Sequence, residues 1–242
     1  MKSKTEIIKK LIYESKHLVV LEGNGLTQEN NYPSFLDDDW SYRIEEDYGY
    51  SPEELLSSTY FSTRKDRFFK FYQEEIICER EKPNAAYQAL AELERQGILK
   101  AVITRQIYGL CREAGCQNVY EFRGNIHRNF CSKCRRSFTM EYMRENKIPT
   151  CPDCNIPIHP DIRMFGEMME NSIVSKAIEQ VATADVLIAL GIDMNSSFLN
   201  KLYPYYKGDK LVLIKSENHF MDYQANYTAY GKISELLPKM IK

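Results

Sequence analysis

Two Cys-x-x-Cys pairs, Cys131/Cys134 and Cys151/Cys154, stand sixteen residues apart. Each pair can present two thiolates from one tight turn, and two such turns facing each other close a tetrahedral site for zinc. Four sulfurs leave the metal no open position, so it would hold structure together and carry out no reaction. A pair of disulfides is the weaker alternative, because nothing else in the chain reads as secreted.

Other groups with chemical potential sit at the ends of apolar runs. HLVVLEGNG is a short apolar stretch ending at Gly23, Asn24 and Gly25. It has the form of a buried parallel strand feeding a tight turn. A Gly-x-Gly at that point lets backbone approach a dinucleotide phosphate, although it also serves as an ordinary strand exit. Asp37, Asp38 and Asp39 could hold a hard cation, but such a run more commonly opens a helix. The four histidines, His17, His127, His159 and His219, lie near element ends and read as solvated or capping residues. Cys78, Cys111 and Cys116 read as buried thiols.

Positioning these groups falls to strands alternating with helices. Ile7, Ile8, Leu11 and Ile12 share one face of an opening helix. After the first strand, residues 36–82 form a helical insertion whose Phe61, Phe68, Phe69, Phe71 and Tyr72 supply its core. NAAYQALAELERQG is an amphipathic helix closed by glycine, followed by the strand LKAVIT. A short helix near Gly109, the strand NVYEF, the cysteine-bearing insert and a strand at IRMFGE come next. The chain ends with helix SIVSKAIEQVATA, strands DVLIALG and KLVLIK, and helix ISELLPKMIK. This order predicts an α/β fold with an open parallel sheet and right-handed crossovers. Such a sheet binds ligands beyond the carboxyl ends of its strands, where GNG, TRQIY, GIDM and KSEN converge.

The 242 residues suffice for one large domain or one domain with an insert. A hydrophobic fraction of 43%, a charged fraction of 27% and a net charge of -2 are ordinary for a globular chain. They give no electrostatic case for nucleic acid or an anionic membrane surface. No apolar run approaches the ~20 residues that cross a bilayer. MKSKTEIIKKLIYESKH is charged and helix-patterned, unlike a signal peptide. Free thiols beside a thiolate metal site fit a reducing compartment, so a cytoplasmic protein is expected.

With these motifs in order, the chain resembles the sirtuins, the family of NAD-dependent protein deacylases. The family's G-A-G-I-S-x-x-S-G-I-P-D-F-R aligns without a gap on residues 23–36, and T-Q-N-I-D-x-L-H-x-x-A-G on residues 104–115. L-H-G falls on residues 122–124, and PNAAYQALAEL, FGE and LLPKM are further matches. The resemblance implies a Rossmann-like parallel-sheet large domain and a small domain made of a zinc ribbon and a helical module. The expected division is 1–35, 83–123 and 160–242 for the large domain, 36–82 for the helical module and 124–159 for the ribbon. NAD and an acyl-lysine peptide would enter the cleft between the two.

Carried over residue by residue, the resemblance implies cofactor contacts from Gly23, Asn24, Gly25, Thr27, Pro33, Phe35, Arg105, Gln106, Tyr108, Gly191, Asp193 and Lys215. Gly23, Gly25, Thr27, Pro33 and Phe35 keep the family's chemistry, whereas its Asp and Arg have become Ser34 and Leu36. The ribose-contacting Asn is Gln106, the nicotinamide-holding Asp is Tyr108, and the His of the L-H pair is Cys111, the one thiol to test for reactivity. Asp193 stands where the family has a hydroxyl, so it would either repel a pyrophosphate or accept from a ribose diol. Lys215 replaces an Asn and favours an anion or is merely exposed. Most consequential, the catalytic His position is Arg123. A guanidinium with a pKa above ~12 cannot serve as a base near neutral pH. Arg123 could instead grip a phosphate or carboxylate, or pair with an acid such as Glu121 or Glu22.

Three functions follow for comparison. The first is a divergent sirtuin that binds NAD, ADP-ribose or an acylated peptide but deacylates poorly or not at all, a pseudoenzyme. The second is an active NAD-consuming enzyme, whether deacylase, ADP-ribosyltransferase or NAD hydrolase. The third is a scaffold with a vestigial cleft. The first is the expectation.

Overall fold

A strand buried at all five positions, as β1 (Leu18–Glu22) is, needs apolar cover on both faces. The computed structural model describes residues 4–241 and supplies that cover. The following strands are β2 (Leu99–Thr104), β3 (Val119–Glu121), β4 (Gly124–Phe130), β5 (Ser137–Phe138), β6 (His159–Ile162), β7 (Val186–Leu190), β8 (Leu211–Lys215) and β9 (Tyr227–Tyr230). Six of them make one sheet in the order β3-β2-β1-β7-β8-β9, with every pairing parallel. That is the doubly wound order in which the chain reverses direction between its first and fourth strands, and ligands bind outside the carboxyl ends at the reversal. Here the reversal lies between β1 and β7.

Side-chain parity along the strands divides the core. Val19, Leu21, Ile103, Leu187 and Leu213 pack with Ala177 and Val181 of helix Asn171–Thr183 and Leu199 of helix Ser197–Leu202. Leu18, Val20, Val102, Ile188 and Val212 face Ile8 and Ile12 of helix Lys4–Glu14, Leu90 of helix Ala85–Arg95 and Leu237 of helix Ile233–Ile241. Each such fully buried Leu or Ile stabilises the fold by about 1.5–3 kcal/mol. Asn84 caps helix Ala85–Arg95 by accepting from the Ala86 amide at 3.0 Å. Among the described residues, no helix is long and apolar enough to cross a membrane.

The insertion is helical as its sequence predicts, with helices Asp38–Tyr48, Pro52–Leu55, Ser58–Thr63 and Lys65–Phe71 followed by a π turn, Tyr72–Ile76. Asp37 caps the first of these through the Trp40 amide at 3.0 Å, so the aspartate triplet is a helix start. Phe68, Phe69, Phe71 and Tyr72 are fully buried.

IRMFGE is the clearest departure. The strand there is β6, which ends at Ile162 and pairs antiparallel with β4 in a second sheet of order β5-β4-β6. Residues 163–167 form no strand. The segment instead touches the insertion, with the Ser58 amide donating to the Phe165 carbonyl at 3.0 Å and the Phe165 amide to Leu56 at 2.9 Å. A period-two apolar pattern does not specify its partner strand.

Candidate functional site

The two cysteine turns share one backbone design. Arg135 and Asn155, each next after the second cysteine of its pair, adopt left-handed φ values of 63° and 53°. Their amides donate to Cys131 and Cys151 carbonyls at 2.9 and 2.8 Å, closing each turn. Asn tolerates that conformation readily; Arg does not, at a cost of about 1–2 kcal/mol. Arg135 lays its guanidinium 4.1 Å over the Phe130 ring, a cation–π contact that offsets part of this. The four sulfurs lie within 4.8 Å of one another, Cys134 and Cys151 at 3.7 Å. A tetrahedron with ~2.3 Å metal–sulfur bonds has an edge of ~3.8 Å, so the donor set fits zinc.

Beyond the carboxyl ends of β1, β2, β3 and β7 lies a cavity of about 410 Å³. It is walled by Gly23 and Asn24 after β1, Arg105, Gln106 and Tyr108 after β2, Arg123 after β3 and Asp193 after β7, with Phe35 from the loop before the insertion. A second cavity of about 250 Å³ adjoins it through Asn24, Ile192 and Asp193, and adds Gly25, Gly191, Lys215 and His219. Ten of the twelve positions proposed for cofactor contact therefore border these two spaces. Thr27 and Pro33 do not. Thr27 is fully buried, 3.4 Å from the Tyr87 hydroxyl. Pro33 faces a shallower depression, and its carbonyl accepts from the Tyr108 hydroxyl at 3.1 Å.

The glycines serve packing as much as ligand access. A Cβ on Gly23 would meet the Gly191 oxygen at 2.3 Å, and one on Gly191, whose φ is +64°, would meet the Leu26 amide at 2.5 Å. The exit loops of β1 and β7 interlock so closely that neither admits a side chain.

Arg123 makes no ion pair with the acids expected for it. Glu121 already accepts from Arg112 at 3.2 Å, Arg128 at 2.7 Å and Asn125 at 2.6 Å. Glu22 accepts from the Tyr87 hydroxyl at 2.7 Å and the Cys111 thiol at 3.5 Å. The Arg123 guanidinium instead lies 4.3 Å from the Phe165 ring centre and 5.6 Å from that of Phe35. Among the described residues its one hydrogen bond, to the Arg163 carbonyl, is long at 3.4 Å. Burial and the nearby Arg105 charge lower its pKa, with Glu53 opposing.

Asp193 and Lys215 correct each other's reading. Lys215 is neither merely exposed nor free for an anion: its ammonium bonds Asp193 at 2.5 Å and lies 3.3 Å from buried Asp222. Burial alone would lower the Lys215 pKa, but the two carboxylates outweigh it and hold it above its ordinary value. With its charge compensated, Asp193 repels a pyrophosphate far less than a lone carboxylate would.

Cys111 is not a reactive thiol. It is buried, and desolvation together with the Glu22 carboxyl pushes its pKa well above the ordinary value. The Tyr108 hydroxyl is committed to Pro33, and its ring lies 4.7 Å from that of Tyr32. No histidine borders the larger cavity. His219 caps the 3-10 turn Phe220–Gln224, accepting from the Met221 amide, and His127 bonds the Tyr108 carbonyl at 3.2 Å. Sequence reasoning missed Glu22 and Phe165 as cavity walls. An acid closing an otherwise apolar strand was the available signal for Glu22, and the FGE match was the one for Phe165.

A doubly wound sheet with a two-part crevice at its reversal and a four-thiolate ribbon beside it defines a nucleotide-binding architecture with a structural metal. Residues 23–196 match the model of the Sir2 family. A relative from Clostridium acetobutylicum, called an NAD-dependent protein deacetylase, is 37% identical over 97% of this chain and 96% of its own. Two solved structures are also similar. A Sir2 homolog–NAD complex has a TM-score of 0.81 at 30% identity, covering 98% of this chain and 92% of that one. Sir2 bound to acetylated peptide has a TM-score of 0.80 at 27% identity, covering 99% and 97%. The chain belongs to the Sir2, or sirtuin, family, whose cofactor is NAD.

Proposed function

We propose that this protein binds NAD, or a related nucleotide such as ADP-ribose, across the two adjoining cavities, and that its deacylase activity is impaired or absent. Arg123 is the observation that carries this reading. A guanidinium packed on Phe165 and bordering the cavity keeps its proton near neutral pH, so it cannot accept one from a ribose hydroxyl. Two nearby groups do not replace it. Glu22 is enclosed by donors, and the Cys111 thiol stays protonated.

Bound NAD would supply an anomeric carbon carrying nicotinamide as leaving group. Toward it, Gly23, Asn24, Gly25 and Gly191 would offer backbone, Gln106 an amide and Phe35 an aromatic face. Arg105 and Arg123 would offer positive charge to the pyrophosphate, and Asp193, steadied by Lys215, an acceptor for a ribose diol. Thr27, Pro33 and Tyr108 would hold the loop that covers it. An acylated lysine on a protein is the partner class, as for the neighbour bound to an acetylated peptide. The thiolate site and bacterial relatives support a cytoplasmic setting.

The competing reading is an active NAD-consuming enzyme, favoured by the 37% identity to a relative called a deacetylase. Calorimetric titration with NAD and with ADP-ribose, followed by a nicotinamide-release assay on acetyl-lysine peptide, separates the two. Binding without release supports the proposal, and release with deacetylated product at ordinary enzyme rates overturns it. Arg123→His is the companion variant. Restoring a base is expected to raise peptide deacetylation by about 10²-fold or more.

A further inference from the structure

The six-stranded sheet has two edges, β3 and β9, and the chain treats them differently. At the β3 edge, Arg112 donates to the Gln117 carbonyl at 3.1 Å and to the Val119 carbonyl at 2.8 Å. Glu94 accepts from the Gln117 and Asn118 amides at 2.6 and 2.7 Å. Side chains thus occupy backbone groups that another strand would need. β9 lacks such a guard. The Gly231 amide donates to the Lys215 carbonyl at 3.0 Å, so Gly231 faces β8, and alternation turns the backbone groups of Tyr230 and Thr228 outward. Among the described residues no side chain bonds them, and the strand YTAY carries no lysine, proline or bulge.

The same edge carries an uncovered aromatic surface. Phe220 and Tyr223 stand three apart on the 3-10 turn Phe220–Gln224, whose three-residue period puts them on one face, and they are 80% and 79% exposed. Between them, Asp222 is buried and accepts from the His219 amide at 2.8 Å and the Tyr230 hydroxyl at 3.1 Å, which fastens the turn to the end of β9. We propose that β9 pairs antiparallel with β9 of a second copy of this chain about a two-fold axis at Ala229, with Phe220 and Tyr223 of both copies closing over the junction. In that register Thr228 of each copy meets Tyr230 of the other, and each such pair exchanges both backbone hydrogen bonds. A two-fold contact is self-complementary and closes after two copies. A strand from another protein would fill the edge but leave the aromatic pair wet, whereas a second copy supplies both the strand and the aromatic cover. A net charge of -2 sets little repulsion between copies. Phe220 and Tyr223 offer on the order of 150 Å² each, which with Tyr230 and the strand approaches the ~600 Å² per partner of the smallest stable interfaces. None of these residues borders the nucleotide cavities, so the proposal does not depend on NAD binding.

Sedimentation of the zinc-replete full chain from micromolar to about 100 μM tests this, together with hydrogen exchange at the Thr228 and Tyr230 amides. A dimer with a micromolar Kd is expected. Exchange at both amides should slow by about tenfold or more from the dilute to the concentrated sample. Phe220→Lys/Tyr223→Lys alters only exposed side chains, so its melting temperature should match that of the wild type diluted to monomer. Its dimer should dissociate about tenfold or more readily. A monomer at every concentration overturns the proposal and leaves the edge to a strand of another protein. So does a dimer whose Thr228 and Tyr230 amides exchange as in the monomer, a dimer indifferent to the double variant, or growth beyond two copies.

Discussion

Replacing Glu22 by Gln probes the floor of the nucleotide cavity through the pH dependence of folding. Glu22 closes β1, is 2% exposed, and has one oxygen taken by Tyr87 and the other by Cys111. Burial raises its pKa above the ordinary 4.5, more than the bonds from Tyr87, Thr104 and Cys111 lower it. The folded protein therefore holds this proton to higher pH than the unfolded chain does. Stability from that proton is complete below 4.5 and is lost as pH rises toward and through the raised folded value. Between the two values the folded state carries up to one extra proton, so the wild type loses at most ~1.4 kcal/mol per pH unit from this group. Glu22→Gln cannot titrate, and its amide oxygen still accepts from Tyr87. Urea unfolding in steps from pH 4 to pH 9, fitted for ΔG, measures both proteins. The wild-type curve should fall relative to the variant across the window and run parallel to it elsewhere. Parallel curves throughout would show that Glu22 titrates normally. The outcome bears on function, because a neutral Glu22 lets an anionic cofactor enter where an ionised one repels it.

Asn30→Ala should destabilise by about 1–3 kcal/mol in urea titration, because Asn30 donates to the Glu81 and Lys82 carbonyls and accepts from the Asn84 amide at 2.7 Å; a loss below a few tenths would mean this loop is not tied to the insertion. Lys215→Met should cost about 3–5 kcal/mol by leaving buried Asp222 without its counter-charge. Lys215→Met/Asp222→Leu should recover much of that loss, and no recovery would refute the pairing. Chelation under denaturing conditions should release one zinc per chain, with thermal scans showing a lower transition for the stripped protein, and Cys154→Ser should mimic it. A metal content near zero in protein purified without chelator would contradict the thiolate site.

The features legible in sequence are those set by local period and spacing. Two Cys-x-x-Cys turns determine a tetrahedral donor set whatever the rest of the chain does, and the left-handed Arg135 and Asn155 are the local price of that geometry. Apolar runs such as LVVLE and VLIAL, separated by amphipathic helices, require a covered parallel sheet, and the sheet order then locates the crevice. Arg123 as a non-base follows from its side-chain chemistry alone. What surrounds it does not. Glu121 and Glu22 lie close to Arg123 in sequence or strand order, yet tertiary packing committed them to Arg112, Arg128, Tyr87 and Cys111 and left Arg123 on Phe165. The same holds for Thr27 turning into the core, for β6 joining the small sheet, and for Asp193 meeting Lys215 from the next strand. Charges and hydroxyls act over a few ångströms, and which of many candidates arrives within that range is decided by contacts remote in sequence, where no local pattern records the choice.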